Sequence, residues 1–282
     1  MWTVTHDTAA LHDVLLAPPD DFRWLPLNAV ARRALAEAGQ PPTAAQIAAQ
    51  HAELAHALVQ GGARVHSLPA EPHLPYLVYT RDPAVVTPWG PVLGQCMRAE
   101  RRGEYAPHLR FFGEFRRLSN TGTLEGGDVH LIAPGFAAIG VSGGRTDEAG
   151  AAQLAGWMRA EGWQVELVRF DEHFLHLDLI FAMAAPGLAL ACRDALEPGF
   201  IQAVQAAGIR LLDVTYAEAM QLHGNVLPMG GSTVVSAREA TRVNAMLRAE
   251  GLTVLDPALS VFTMGGGGPR CMTCPLSRQD AS

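Results

Sequence analysis

Asp128-Val-His-Leu-Ile-Ala-Pro-Gly-Phe-Ala-Ala-Ile-Gly-Val-Ser142 reads as an acidic residue, an apolar run, a Pro-Gly turn and a second apolar run. Pro134-Gly135 is turn chemistry between two runs of strand length, so the stretch predicts a β-hairpin. Behind it, Thr146–Glu161 is Ala-rich, sets Leu154, Trp157 and Met158 on one helical face, and offers Thr146 as an N-cap. Gln164–Val168 then reads as a short strand. One ββαβ unit is legible in a single piece of chain.

The same order recurs on both sides. Asp82-PAVVTPWGPVLG, Asp178-LIFAMAAPGLALAC and Asn225-VLPMGGSTVVS repeat the leader, run, turn and run, and the four polar leaders are 46, 50 and 47 residues apart. Helices are expected over Glu197–Ala207 and Ala237–Glu250, stopped by Gly208 and Gly251, with strands at Arg210–Val214 and Thr253–Leu255. Near the N-terminus, Thr43–Gln60, Gly61-Gly62 and Arg64–Leu68 repeat the second half of the unit, and Val14–Ala17 with Val261–Met264 is expected to complete its hairpin. About five such units, one shared by the two termini, imply a closed ring and a single α/β domain over residues 1–282. An ordinary α/β sheet with the same spacing is the alternative. In a ring the leaders Asp82, Asp128, Asp178 and Asn225 occupy equivalent places and converge on the axis, whatever their chemistry.

Composition narrows the function. The chain has 282 residues, 49% hydrophobic and 17% charged, enough to bury a sizeable core. A net charge of −7 argues against a nucleic-acid surface, which wants clustered Lys and Arg. The one basic cluster, Arg98, Arg101 and Arg102, suits a solvated helix start or a single small anion. The stretch Leu179–Cys192 is too short to span a bilayer, and Met1–Asp13 lacks the features of a signal peptide. Four cysteines in a chain of this size do not form a disulfide framework, so a reduced, cytoplasmic setting is expected.

Four clusters could carry chemistry. Gly265-Gly-Gly-Gly-Pro-Arg-Cys271-Met-Thr-Cys274 can deliver Cys271 on a tight loop as a nucleophile, with Arg270 or a histidine favouring the thiolate. A buried structural thiol is the plain alternative, and Cys271-x-x-Cys274 as a redox pair or half of a zinc site is another, weakened by the lack of a second pair. In Leu175-His176-Leu177-Asp178, strand alternation sets His176 and Asp178 on one face as a general acid/base beside an anionic group; a histidine satisfied by its neighbouring carboxylate is the bland reading. His173 falls before that strand and reads as surface. Glu125-Gly126-Gly127-Asp128 and Tyr79-Thr80-Arg81-Asp82-Pro83 are turns by themselves. Together they bring Asp82, Glu125, His176, Asp178 and Cys271 to converging positions. Facing carboxylates require a cation to offset their repulsion. Metal-ligand spacing of the HExxH or paired CxxC kind is absent from the sequence, so an organic cation is expected and no metal or cofactor is called for.

TRDP (Thr80–Pro83), EGGD (Glu125–Asp128), HLD (His176–Asp178), GNVLPMG (Gly224–Gly230) and GGGGPRCMTCPL (Gly265–Leu276) resemble, in order and spacing, the motifs of the guanidino-group-modifying, or pentein, superfamily. Arginine deiminases, dimethylarginine dimethylaminohydrolases, arginine dihydrolases and amidinotransferases belong to it. The resemblance spans Tyr79 to Leu276 and implies an α/β-propeller of five ββαβ units around a pseudo-fivefold axis. It implies Cys271 as nucleophile, His176 as general acid/base and Glu125 as the catalytic carboxylate. Asp82 and Asp178 match the guanidinium-binding pair, Arg101 and Arg145 match the arginines that hold a substrate α-carboxylate, and Tyr79 falls among the substrate-binding positions. Arg98 and Arg102 compete with Arg101 for its role. Tyr76 stands where many relatives carry Asn or Asp, a position that touches substrate. The resemblance further implies a small guanidino substrate, a covalent amidino intermediate on cysteine, and a homodimer. A hydrolase of the dimethylargininase or arginine deiminase/dihydrolase type is expected, with an amidinotransferase on the same scaffold, or a non-enzymatic thiol protein using Cys271 and Cys274, as the alternatives.

Overall fold

The computed structural model describes residues 2–37, 40–117 and 122–279. In chain order its elements are β1 (Thr3–Val4), β2 (Ala10–Leu16), α1 (Ala29–Glu37), α2 (Ala44–Gln60), β3 (Arg64–Ser67), β4 (Ala84–Thr87), β5 (Gly90–Leu93), α3 (Tyr105–Phe112) and β6 (Arg116–Arg117). There follow β7 (Val129–Ala133), β8 (Phe136–Val141), α4 (Glu148–Ala160), β9 (Gln164–Arg169), β10 (Phe181–Ala185), β11 (Leu188–Ala191), α5 (Pro198–Ala206) and β12 (Arg210–Asp213). The rest are α6 (Tyr216–Ala219), β13 (Leu227–Gly230), β14 (Thr233–Val235), α7 (Thr241–Ala249), β15 (Thr253–Leu255), α8 (Ser260–Gly265) and β16 (Cys274–Gln279).

These strands form five separate small sheets. Four have one plan: an antiparallel hairpin, then a helical crossover to a third strand parallel to the second, as in β7-β8-β9 and β10-β11-β12. The fifth is assembled from both ends of the chain. β16 pairs antiparallel with β2, β2 pairs parallel with β3 across α2, and β1 adds to the far side of β16. The pentein architecture is therefore present, with its fifth unit closed by the termini. Nearly all the hairpin strands are buried on both faces, and so they read as continuous apolar runs rather than alternations.

The sequence reading needs four corrections. The C-terminal partner of β2 is Cys274–Gln279, not Val261–Met264, which is the helix α8. That helix starts where Gln50 and Glu239 side chains accept from the amides of Val261 and of Leu259 and Ser260. The N-cap of α4 is Asp147, which accepts from Gly150 N at 2.8 Å, whereas Thr146 turns inward and its Oγ1 accepts from Glu125 N at 3.1 Å. Helix α7 begins at Thr241, not Ala237, because Arg238 N donates to Pro257 O and Glu239 is held at α8. His176 and Asp178 do not share a strand face: residues 177–179 form a 3₁₀ turn ahead of β10, with Leu179 N donating to His176 O. By contrast, α2 starts at the expected Thr43 cap, in a reciprocal capping box with Gln46.

The polar leaders do converge, and each stitches its unit to the next. Asp82 Oδ1 accepts from Gly127 N (3.2 Å), Asp128 Oδ1 from Leu177 N (2.8 Å), and Asn225 Oδ1 from the amides of Arg270 and Cys271 (3.0 and 3.3 Å). Asn225 Nδ2 donates to Asp178 O at 3.2 Å. Arg81 N donates to Cys271 O at 3.2 Å, which links the last unit back to the first. Among the described residues, no helix is long and apolar enough to cross a membrane.

Candidate active site

Cys271 follows the α8 helix and the glycines 265–268, and is 2% exposed. A Cβ on Gly267 would lie 2.2 Å from the Tyr79 ring, so only glycine lets the loop pack there. Tyr79 itself is buried and donates its hydroxyl to Phe262 O at 2.8 Å, which places it under the loop. The loop turns back on itself through Met272 N to Gly268 O at 3.0 Å, and Asn225 receives both the Arg270 and Cys271 amides.

Cys271 Sγ donates to Asp178 Oδ2 at 3.4 Å, and the same oxygen accepts from Arg270 Nη1 at 3.0 Å. Asp178 Oδ1 is buried and has no hydrogen-bond partner. Burial, then Asp178 and Asp82, push the Cys271 thiol well above its ordinary value, against the opposing pull of Gly268 and Arg270. These surroundings favour the Cys271 thiol over its thiolate.

His176 Nε2 and Glu125 Oε2 are 2.8 Å apart, both fully buried, and His176 Nδ1 lies 3.8 Å from Asp82 Oδ1 without a hydrogen-bond partner. Burial disfavours the imidazolium, but Asp82, Asp128 and Glu125 outweigh it and raise His176 to about 9. Against the same burial penalty, Arg145 first and His176 second hold Glu125 well below the usual carboxylate range. Burial pushes Asp128 up to about 7. Gly127 is again obligatory, since a Cβ there would lie 2.7 Å from the His176 ring.

Ligand atoms of Asp82, Glu125 and His176 lie within 4.8 Å of one another, a spacing able to hold a cation. Arg101 supplies one. Its Nη1 donates to Asp82 Oδ2 at 2.6 Å and lies 3.6 Å from Glu125, while Nε and Nη2 donate to Glu104 at 2.7 to 3.1 Å. Arg101 is thus turned inward and fully engaged. Glu104, which sequence reasoning missed, carries the signal of an i,i+3 acid in RRGE; burial raises it to about 7 against the attraction of Arg101. Arg145 Nη2 donates to Leu27 O at 3.1 Å, and Nη1 stands 3.5 Å from Glu125 with no hydrogen bond of its own. Arg145 also lines a polar pocket of about 300 Å³ with Arg32, Arg98, Asp171, Glu172 and the exposed His173. Tyr76 is buried and engaged: its hydroxyl both accepts from Leu25 N and donates to Leu25 O, and Arg101 sits 5.8 Å over its ring. Cys274 faces Ala84 O, and all four cysteines are buried and free.

A five-unit ring with a thiol, an imidazole–carboxylate pair and two further carboxylates at its axis defines the guanidino-modifying class of cysteine enzymes. The family described as N,N dimethylarginine dimethylhydrolase, eukaryotic, matches residues 28–278. YkgA of Bacillus subtilis is 32% identical over 233 residues, 81% of this chain and 79% of that protein. An arginine deiminase of Rhodococcus erythropolis is 34% identical over 246 residues, covering 73% of this chain; the chain spans 60% of that enzyme's length. Among solved structures, dimethylarginine dimethylaminohydrolase from Pseudomonas aeruginosa superposes with a TM-score of 0.78 at 21% identity, over 94% of this chain and 99% of that one. The N-terminal domain of ArgZ, a cyanobacterial arginine dihydrolase, gives 0.80 at 20% identity over 94% and 98%. At such identities the structures establish the architecture. The chain belongs to the pentein superfamily, in the family of that matching description, and is a hydrolase acting on guanidino groups through a cysteine.

Proposed function

We propose that the chain hydrolyses a guanidinium C–N bond of a free arginine-like amino acid, as a dimethylargininase or an arginine deiminase or dihydrolase does, with Cys271, His176 and Glu125 as its catalytic residues. The observation that carries this is a pair of arrangements among the converging leaders: Cys271 Sγ 3.4 Å from the Asp178 carboxylate, whose other oxygen is free, and a His176–Glu125 pair at 2.8 Å whose imidazole lies 3.8 Å from Asp82.

Asp178 Oδ1 and Asp82 receive the N–H groups of the planar guanidinium. The arriving cation lowers the Cys271 thiol by opposite-charge stabilisation, and the thiol loses its proton to solvent. The thiolate forms a bond to the guanidinium carbon. The C–N bond to the leaving nitrogen then breaks, with that nitrogen taking the proton of His176, whose charge Glu125 supports. An amidino-thioether remains. Water gives one proton to neutral His176 as its oxygen bonds to the same carbon; the C–S bond then breaks to restore the Cys271 thiolate, and the hydroxyl on that carbon sheds its remaining proton to solvent as the ureido product is released. The tail of the substrate lies towards the pocket of Arg145 and Arg98, whose positive charge suits an α-carboxylate. Four free, buried cysteines accord with a reducing, cytoplasmic setting.

The test is incubation of the purified chain with arginine, monomethyl- and dimethylarginine, and agmatine, with products identified by mass spectrometry. Citrulline or ornithine formed by the wild type and not by Cys271→Ser is expected. Equal turnover by Cys271→Ser would remove the thiol from the mechanism, and transfer of the amidino group to an added amine would make the enzyme a transferase.

A further inference from the structure

Behind the thiol lies a chain of buried charge that the reaction above does not use. Arg270 is 3% exposed. Its Nη1 donates to Asp178 Oδ2 at 3.0 Å, and its Nη2 donates to Val129 O at 2.7 Å and reaches Asp7 Oδ2 at 3.5 Å. Asp7 comes from the N-terminal segment between β1 and β2, and its Oδ2 is also 3.5 Å from His130 Nδ1. One guanidinium therefore bridges the leader of the β10 unit to the β7 unit and to the unit closed by the termini. Asp178 Oδ2, the oxygen it grips, is the one that accepts from Cys271.

We propose that Arg270 and Asp7 are positioning residues for the hydrolysis: Arg270 orients Asp178 so that Oδ1 faces the site, and Asp7 sets how much of the Arg270 charge the Asp178–Cys271 pair feels. This rests on the reading of Cys271 as the nucleophile. Around Arg270 stand the anions Asp7 and Asp178, the thiol of Cys271, and His130, Arg81 and Arg278. Burial holds His130 down near 4, so at neutral pH it adds no charge, and Asp7 is the carboxylate that meets Arg270 at Nη2, while Nη1 grips Asp178. The two ends of the relay consequently act on the thiol in opposite directions. Neutralising Asp7 leaves the cation less compensated, which favours the Cys271 thiolate and binds Asp178 more tightly away from an incoming guanidinium. Neutralising Arg270 removes the cation, which disfavours the thiolate.

The experiment is the rate of Cys271 alkylation by iodoacetamide as a function of pH, with the modified cysteine located by mass spectrometry, for the wild type, Asp7→Asn and Arg270→Gln, alongside kcat and KM for arginine or methylarginine turnover. Asp7→Asn is expected to raise the alkylation rate at neutral pH about threefold or more while raising KM; Arg270→Gln is expected to lower that rate by a similar factor. Loosening of the fold would speed alkylation in both variants, so equal signs overturn the proposal, as does an unchanged profile in Asp7→Asn. If Arg270→Gln does not fold, the paired rise in rate and KM in Asp7→Asn decides alone. Should the wild type turn over no guanidino compound, the function proposed above fails, while alkylation still reports whether Asp7 and Arg270 govern the thiol.

Discussion

Arg101 Nη1 lies 2.6 Å from Asp82 Oδ2, with both side chains 3% exposed, so the resting site already holds a guanidinium on one of its two expected guanidinium-binding carboxylates. Three buried acids, Asp82, Glu104 and Glu125, surround that group; Arg101 touches all three, and Glu125 has Arg145 and His176 besides. The organic cation expected from the sequence is thus anticipated by one of the protein's own. Asp178 Oδ1 is left open, and a substrate meets Asp82 in competition with Arg101.

Arg101→Met removes one partner of a buried ion cluster and leaves Asp82 and Glu104 without their arginine, while Glu125 keeps Arg145 and His176. The expected loss is on the order of 3–5 kcal/mol of stability, because uncompensated buried charge costs more than the pair contributes. Thermal unfolding measures it. Methylguanidine, which fits the space of the missing side-chain end, should restore part of the melting temperature in the variant and little in the wild type. A variant that melts with the wild type would show the cluster to be neutralised by protons instead.

Glu125→Gln replaces the carboxylate 2.8 Å from His176 with an amide of nearly the same shape. His176 then keeps Asp82 and Asp128 but loses the charge it touches, so its value should fall from about 9 towards that of an ordinary histidine. Turnover should drop by about 10²–10⁴-fold, the usual share of a positioned acid/base group. Histidine NMR titration and kcat check the two halves separately. A kcat loss without a change in His176 titration would assign Glu125 to substrate contact alone.

Much of this was legible in the chain, and the reasons it failed elsewhere are local. The hairpins could be read because Pro134-Gly135 and Pro186-Gly187 punctuate runs buried on both faces. Convergence of Asp82, Asp128, Asp178 and Asn225 followed from repetition alone. The fifth hairpin was misassigned because Pro275 interrupts β16 at a register shift, and strands with a proline look like loops. His176 and Asp178 met the site by a 3₁₀ turn whose anchoring bond, Leu177 N to Asp128, is non-local. Asp7 carried no local signal at all, since its partners Arg270 and His130 are brought to it only by ring closure.

The raised value of His176 has a signed consequence for stability. The folded chain holds its proton up to about 9, while an ordinary histidine releases it near 6.5. Between these values the folded state binds the extra proton, so this contribution is whole below about 6.5 and is lost as pH rises through about 9. The unfolding midpoint of the wild type should therefore fall more steeply over that window than the midpoint of His176→Asn. Parallel curves would mean that the His176 proton is already lost at neutral pH.

Arg98 lines the 300 Å³ pocket next to Arg145 and makes no ion pair among the described residues. It is exposed, so Arg98→Leu should leave the unfolding free energy within about 0.5 kcal/mol of the wild type. If the tail of an amino-acid substrate lies there, KM for arginine should rise several-fold and KM for agmatine, which lacks the carboxylate, should stay. Equal changes for both would place the tail elsewhere.

Gly267 and Tyr79 test whether the loop is held by shape or by its hydrogen bond. A methyl at Gly267 would sit 2.2 Å from a ring that has nowhere to retreat, since Tyr79 is packed edge-on against Phe22 and Tyr76. Overpacking of this kind costs about 1–3 kcal/mol and should move Cys271, so Gly267→Ala is expected to lose both stability and kcat. Tyr79→Phe keeps the ring and removes only the bond to Phe262 O, a loss of about 1 kcal/mol with kcat nearly intact. Melting temperatures and kcat for the two variants separate the cases. If Tyr79→Phe instead lost kcat as severely as Gly267→Ala, the hydroxyl, and not the ring, would be what fixes the nucleophile.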